Sequence, residues 1–134
     1  MLSFVYSIEE SILIIKPRAA TTHCKDIYTT LLDENFYVTD FEEGTADANY
    51  FERLWAKKYG YLPYFKQLCA EMGTDTFLVL KVFRVNAINE LIDLCGHDDP
   101  DKAEKENGNT LRAMFGRSVV QNAVQSRFFP ELKT

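Results

Sequence analysis

"SILIIKP", residues 11–17, is the stretch from which the rest of the chain can be read. Ile12, Leu13, Ile14 and Ile15 form an unbroken apolar run closed by Pro17. A short apolar run with β-branched residues and a chain-breaking end reads as a buried strand. Lys16 stands at the last position before the proline. A strand-end lysine is ordinarily just solvated, so it becomes informative only if other polar groups converge on it.

Outward from this strand, the hydrophobic period alternates between helix and strand. "THCKDIYTTLLDEN" (22–35) places Cys24, Ile27, Tyr28 and Leu31 at one-sided helical spacing, with Asn35 as C-cap. "FYVTDF" (36–41) is β-branched and aromatic and reads as a second strand. "DANYFERLWAKK" (47–58) and "YFKQLCAEM" (64–72) read as helices, the latter with Phe65, Leu68, Cys69 and Met72 on one face. "TFLVLKVF" (76–83) is a third strand. "NAINELIDLCG" (86–96) is a helix between an Asn86 N-cap and a Gly96 C-cap, with an apolar stripe of Ile88, Leu91, Ile92 and Cys95. "HDDPDKAEKENGN" (97–109) reads as a polar surface loop holding at most one helical turn. "TLRAMFG" (110–116) reads as a phosphate-binding loop and "VVQNAV" (119–124) as a fourth strand. The order β-α-β-α-α-β-α-loop-β predicts a ferredoxin-like α/β sandwich: one domain over residues 1–134, a four-stranded antiparallel sheet with helices packed on it. Fold class by itself assigns no function.

Composition narrows the partners. The chain has 134 residues, 46% hydrophobic and 26% charged, as in globular proteins with a sizeable core. A formal net charge of -5 argues against a broad nucleic-acid surface but leaves room for a small basic pocket. The run "ILII" is too short to span a membrane. Glu9 and Glu10 precede it, which argues against a signal peptide. Cys24, Cys69 and Cys95 form no CxxC pair and read as reduced thiols of an intracellular protein. His23 and His97 are the only histidines, so no metal site is expected.

Three polar residues then stand out: Lys16 at a strand end, Arg112 between Gly108 and Gly116, and Asn122 on the expected last strand. A lysine, an arginine and an amide converging from separate strand ends can hold a polyphosphate. Taken singly, Arg112 reads more often as a surface ion pair than as a phosphate ligand.

Taken together with their neighbours, these residues carry a resemblance. "LIIKPRA", "LPYFKQLCAEM", "LIDLCGHDDPDKA" and "NTLRAMFGRSVVQNAVQ" resemble, in order and spacing, the nucleoside diphosphate kinase family from about Ser11 to Gln125. The "TLRAMFG" and "QNAV" segments resemble its divergent flagellar and ciliary group. The resemblance implies a nucleotide site with Lys16 and Arg112 on the phosphates, Asn122 on sugar and phosphate, and Tyr64 and Val119 on either side of the base. A Mg-nucleotide is the implied ligand if binding is retained.

The departures cluster where chemistry would occur. Gln125 occupies the place of the nucleophilic histidine, and no other catalytic residue is assigned. Ile92 stands in place of a phosphate-clamping arginine and completes the apolar stripe of its helix. Asp98 replaces a threonine hydroxyl with a carboxylate that would repel phosphate. Arg18 replaces an acidic residue, an exchange expected to reset a surface contact. The C-terminal helix is truncated: Ser126 and Arg127 lead directly into "FFPEL". That helix bears the acidic residue that orients the family's histidine. The family's active-site tyrosine has no clean match, with Ala56 at the ungapped position and Tyr59 offset. His97 reads as a solvent-facing loop residue and His23 as a polar residue near a helix start.

The expected function is therefore a nucleoside diphosphate kinase-like domain without phosphotransfer, serving as a structural or interaction module. Its expected location is cytoplasmic or in a ciliary or flagellar axoneme. Axonemal or microtubule proteins are the expected partners, and nucleic acid and membrane are not. Two alternatives stay open. One is an active kinase whose phosphate acceptor is displaced, for instance to His97, and the other is a nucleotide sensor without turnover. The shortened tail would leave Phe128, Phe129 and Leu132 in need of a cover. The family's dimers and hexamers leave a homo-oligomer open.

Overall fold

The computed structural model of the chain describes residues 7–126. Its elements are β1 (Ile8–Ile15), α1 (Pro17–Thr22), α2 (Cys24–Asp33), β2 (Tyr37–Gly44), α3 (Ala48–Tyr59), α4 (Phe65–Met72), β3 (Phe77–Val85), α5 (Ala87–Cys95), α6 (Pro100–Glu106), α7 (Leu111–Phe115) and β4 (Val124–Ser126). The four strands form one sheet in the order β2-β3-β1-β4, each neighbour antiparallel, which is the ferredoxin-like arrangement. β1 pairs with β3 along its whole length, from Ile8 opposite Val85 to Ile15 opposite Leu78. β4 adds only Leu13 to Ser126 through Ile15 to Val124 on the other side.

The unbroken apolar run of β1 has a direct cause: both faces of this strand are covered. Leu13 and Ile15 join Leu80, Val82, Ile27, Leu31, Leu91 and Cys95 in one cluster beneath α2 and α5. Ile14 points the other way into Phe51, Trp55, Leu68, Cys69, Met72 and Phe77 under α3 and α4. The second cluster is aromatic. Phe51 meets Phe77 edge-on at a centroid distance of 5.5 Å and Trp55 in a tilted arrangement at 5.1 Å. Such pairs add to the area they bury.

Several local expectations are corrected. Pro17 ends β1 but also begins α1, where its fixed φ suits the first helical position and its missing N–H costs nothing. Residues 97–109 are not a loop throughout. Asp99 accepts a hydrogen bond from the Asp101 N–H at 3.0 Å, Pro100 follows, and α6 buries Pro100 and Ala103. "TLRAMFG" is likewise not a loop: Thr110 Oγ1 accepts from the Ala113 N–H at 3.3 Å and caps α7, so Arg112 is helical. "VVQNAV" is mostly not strand. The N–H groups of Arg117 and Ser118 both donate to the Gln121 carbonyl, Ala123 adopts a left-handed φ of 79°, and β4 starts only at Val124. Val119 and Asn122 therefore precede the strand.

Ile92 does not complete a buried stripe. α5 turns Ala87, Leu91 and Cys95 inward and leaves Ile92 45% exposed. The caps of that helix are as read in place but not in mechanism, because Asn86 acts through a left-handed backbone (φ 58°) and not through a side-chain bond. Asn35 also takes a left-handed φ, of 66°, one position beyond the α2 cap residue Glu34. The three cysteines are free thiols. Among the described residues no helix is long and apolar enough to cross a membrane, and no cluster of metal-ligating side chains occurs. The truncated C-terminal helix and Phe128, Phe129 and Leu132 lie outside the described residues.

Candidate functional site: a buried polar cradle beside the last strand

The site begins where β1 ends. The Lys16 N–H donates to the Ala123 carbonyl at 2.9 Å, and its ammonium donates to Asn122 Oδ1 at 2.6 Å. Lys16 is thus tied through both backbone and side chain to the segment that enters β4. It is only 2% exposed. Burial above all, and then the nearby Arg112 charge, lowers its pKa from 10.5 to about 7, with Asp98 and Glu71 partly opposing both.

Asn122 carries the link onward, its Nδ2 donating to the Asp98 carbonyl at 3.0 Å. Arg112 reaches the same place from α7. Its NH1 donates to the Gly96 carbonyl at 2.7 Å and lies 3.2 Å from Asp98 Oδ1, while its NH2 donates to the Val124 carbonyl at 3.0 Å. Its Nε is buried without a hydrogen-bond partner among the described residues. Gly96 makes the approach possible. Its φ is 82°, and an added Cβ would fall 2.5 Å from Thr110 Oγ1. Only a glycine takes that backbone at little cost. Lys16, Arg112 and Asn122 are therefore brought together as expected, although two of the three stand on elements other than those expected.

Gln125 lies on β4 opposite Ile14. Its Nε2 donates to the Tyr59 hydroxyl at 2.5 Å. Burial, aided by the Asp98 charge, raises the Tyr59 phenol to about 12, so it stays protonated at neutral pH. Tyr59, left without a clear role by the sequence reading, is thus the direct neighbour of the substituted position. The signal was present in the offset match, but an offset of a few residues at a helix end cannot be resolved without the fold.

Tyr64 precedes α4, half-buried against the aromatic cluster. Burial raises its phenol pKa, and the Asp98 charge adds to this. Val119 is half-buried in the turn before β4. Both lie outside the bonded cluster. Arg18 is half-buried and does more than make a surface contact. Its NH2 donates to the Phe115 carbonyl at 2.5 Å and sits 3.5 Å from the Gln121 carbonyl, pinning the 115–121 segment to α1. Gln121 in turn donates to Glu71 Oε1 at 3.1 Å. His97 is exposed as expected, with its Nδ1 accepting from the Asp99 N–H at 3.0 Å. His23 joins α1 to α2, its ring 5.0 Å from Phe115.

A family model described as nucleoside diphosphate kinase matches residues 9–127. The chain belongs to the nucleoside diphosphate kinase family. Among relatives of this family member, Thioredoxin domain-containing protein 6 of Xenopus laevis is 28% identical over 123 residues, covering 92% of this chain and 20% of that protein. Nucleoside diphosphate kinase homolog 7 of Rattus norvegicus is 26% identical over 119 residues, covering 88% of this chain and 30% of that protein. The chain spans about a fifth of the length of the thioredoxin domain-containing relatives it matches. The fold is shared with the Aquifex aeolicus nucleoside diphosphate kinase, at a TM-score of 0.81 and 21% identity over 93% of this chain and 89% of that one. It is shared too with a halophilic nucleoside diphosphate kinase from Halobacterium salinarum in complex with CDP, at a TM-score of 0.79 and 17% identity over 93% and 80% of the chains.

Proposed function

We propose that this nucleoside diphosphate kinase family domain does not transfer phosphate. In this reading it serves as a structural or interaction module whose cradle keeps affinity for a nucleotide. The observation that carries the reading is the Gln125–Tyr59 contact. A carboxamide nitrogen delocalises its lone pair into the carbonyl and cannot accept a phosphoryl group, whereas a neutral imidazole can. The hydroxyl beside Gln125 is no base at neutral pH, because burial keeps its proton on. Exposed Ile92 supplies no charge where the family resemblance implies an arginine clamp.

Lys16, Arg112 and Asn122 keep the polar equipment for a phosphate chain, and Tyr64 and Val119 are assigned to the base. A Mg-nucleotide is the ligand this assignment implies. The "TLRAMFG" and "QNAV" segments support a ciliary or flagellar axonemal setting with protein partners.

Incubation of the purified protein with γ-labelled ATP tests the first half of the reading. The expected result is no acid-labile phosphoprotein. Stoichiometric labelling, at His97 or elsewhere, would sink it. Calorimetry with ADP tests the second half, and no heat up to millimolar nucleotide would remove the binding clause while leaving the module.

A further inference from the structure

We infer that Asp98 is a built-in anion which takes the place of a ligand phosphate on Arg112 and so selects which polyphosphates the cradle accepts. This rests on the nucleotide reading above and deepens it. The guanidinium of Arg112 is almost fully enclosed, with its side chain 6% exposed, whereas the Asp98 side chain is 64% exposed. The buried cation is thus neutralised by a carboxylate that approaches from the solvent side. The other contacts of Arg112 are main-chain carbonyls, at Gly96 and Val124. Among the described residues Asp98 Oδ1 is the one anionic group paired with the guanidinium, and it meets it from the solvent-exposed side.

Backbone and side chain of Asp98 are held very differently. Its carbonyl is fixed by the Asn122 amide at 3.0 Å, and that amide is fixed by Lys16. The carboxylate hangs from this anchored point on two rotatable bonds. An ion pair whose acidic partner is mostly solvated is weakly held, so displacement is cheap. The anchored backbone nevertheless keeps the displaced carboxylate within a few ångströms of any bound phosphate, at a range where like charges still repel strongly. The charge of Asp98 acts on Lys16, Tyr59 and Tyr64 alike, raising the pKa of each.

The consequence is a charge filter. A polyphosphate that carries its full negative charge must displace the carboxylate and then stay beside it. A polyphosphate complexed by a divalent cation has that charge reduced and meets less repulsion. The site therefore favours Mg-complexed polyphosphates over free nucleotide and over uncomplexed pyrophosphate.

The experiment is calorimetric titration of the full chain with ADP and with pyrophosphate, each in Mg²⁺ and in EDTA, at constant ionic strength. Wild type, Asp98→Asn and Asp98→Thr are compared, and both variants retain the backbone carbonyl that Asn122 requires. Thermal unfolding curves of the variants establish that each is folded, and either one suffices for the comparison. In EDTA the variants are expected to bind ADP and pyrophosphate about tenfold more tightly than wild type. In Mg²⁺ the difference for ADP should fall below about threefold. Affinities within twofold of wild type in EDTA, or weaker binding by the variants, would overturn the inference. Silence from all three proteins would overturn it as well. A silent wild type with binding variants would uphold it while removing the native-affinity clause of the proposed function.

Discussion

Beside β4 the sheet buries a lysine, an arginine and an asparagine, while along β2 it leaves Tyr37 69% and Phe41 50% exposed. Both margins run against the usual sorting of side chains, and they differ in how the anomaly is compensated. At the first margin, Lys16, Asn122 and Arg112 bond to one another or to the carbonyls of Gly96, Asp98 and Val124. These bonds join the ends of β1 and α5 to α7 and β4, so the polar residues hold the architecture together. At the second margin, β2 pairs only with β3 among the described residues. Asp40, Glu42 and Glu43 line it, which guards an open strand against indiscriminate pairing. A buried polar group is costly to disturb because its neighbours lose their partners too. An exposed apolar group can be exchanged without such loss.

The contrast is most strongly tested at Arg112. Arg112→Ala should cost about 3–5 kcal/mol in urea unfolding, because it strips two main-chain carbonyls of their donor and empties a buried position. A loss below about 1 kcal/mol would mean that the cradle is not structural.

A pH series on Lys16 comes next. Its folded pKa lies near 7 against 10.5 when unfolded. Between those values the unfolded chain holds a proton that the folded chain does not, so stability rises with pH, and the cost is fully present below 7. From pH 7 to 9, wild type should gain about 2 kcal/mol more than Lys16→Met. Parallel curves for the two proteins would contradict the assigned burial effect.

Gly96→Ala should cost about 1–2 kcal/mol, since the alanine must take a positive φ and press on Thr110. Its thermal midpoint should fall, whereas Gly108→Ala, with only the flexible Glu104 side chain at 3.0 Å, should leave it nearly unchanged. The smallest effect is expected at the open margin. Phe41→Lys should alter stability by less than about 0.5 kcal/mol, and a larger loss would show that the β2 edge is part of the core.

The features legible in the sequence were those with long, one-sided periodicity. β1, β3 and α5 announce themselves because many residues repeat one pattern. α6 and α7 were hidden for a physical reason: with 7 and 5 residues they bury too little to leave a stripe, and caps at Asp99 and Thr110 define them instead. The start of β4 is obscured in the sequence because Val119 and Val120 have strand-like side chains while a turn governs their backbone. The cradle residues were legible through the family resemblance. Their mutual bonding was not, since contacts between residue 16 and residue 122 have no local signature. In the sequence Asp98 appears only as a repulsive group, whereas in the fold it is also the counter-ion of Arg112. The role of Arg18 has no local signature, because the carbonyls it clasps lie 97 and 103 positions away.

The Lys16–Asn122 bond spans 106 positions of the chain. It is a long-range closure that no local pattern of the sequence secures. β4 contributes three paired residues and cannot hold the closure by itself. The cradle therefore works as a clasp between the two ends of the fold. A ligand seated there would tighten the docking of the last strand, and amide exchange at residues 124–126 would slow before that of β3 changed at all.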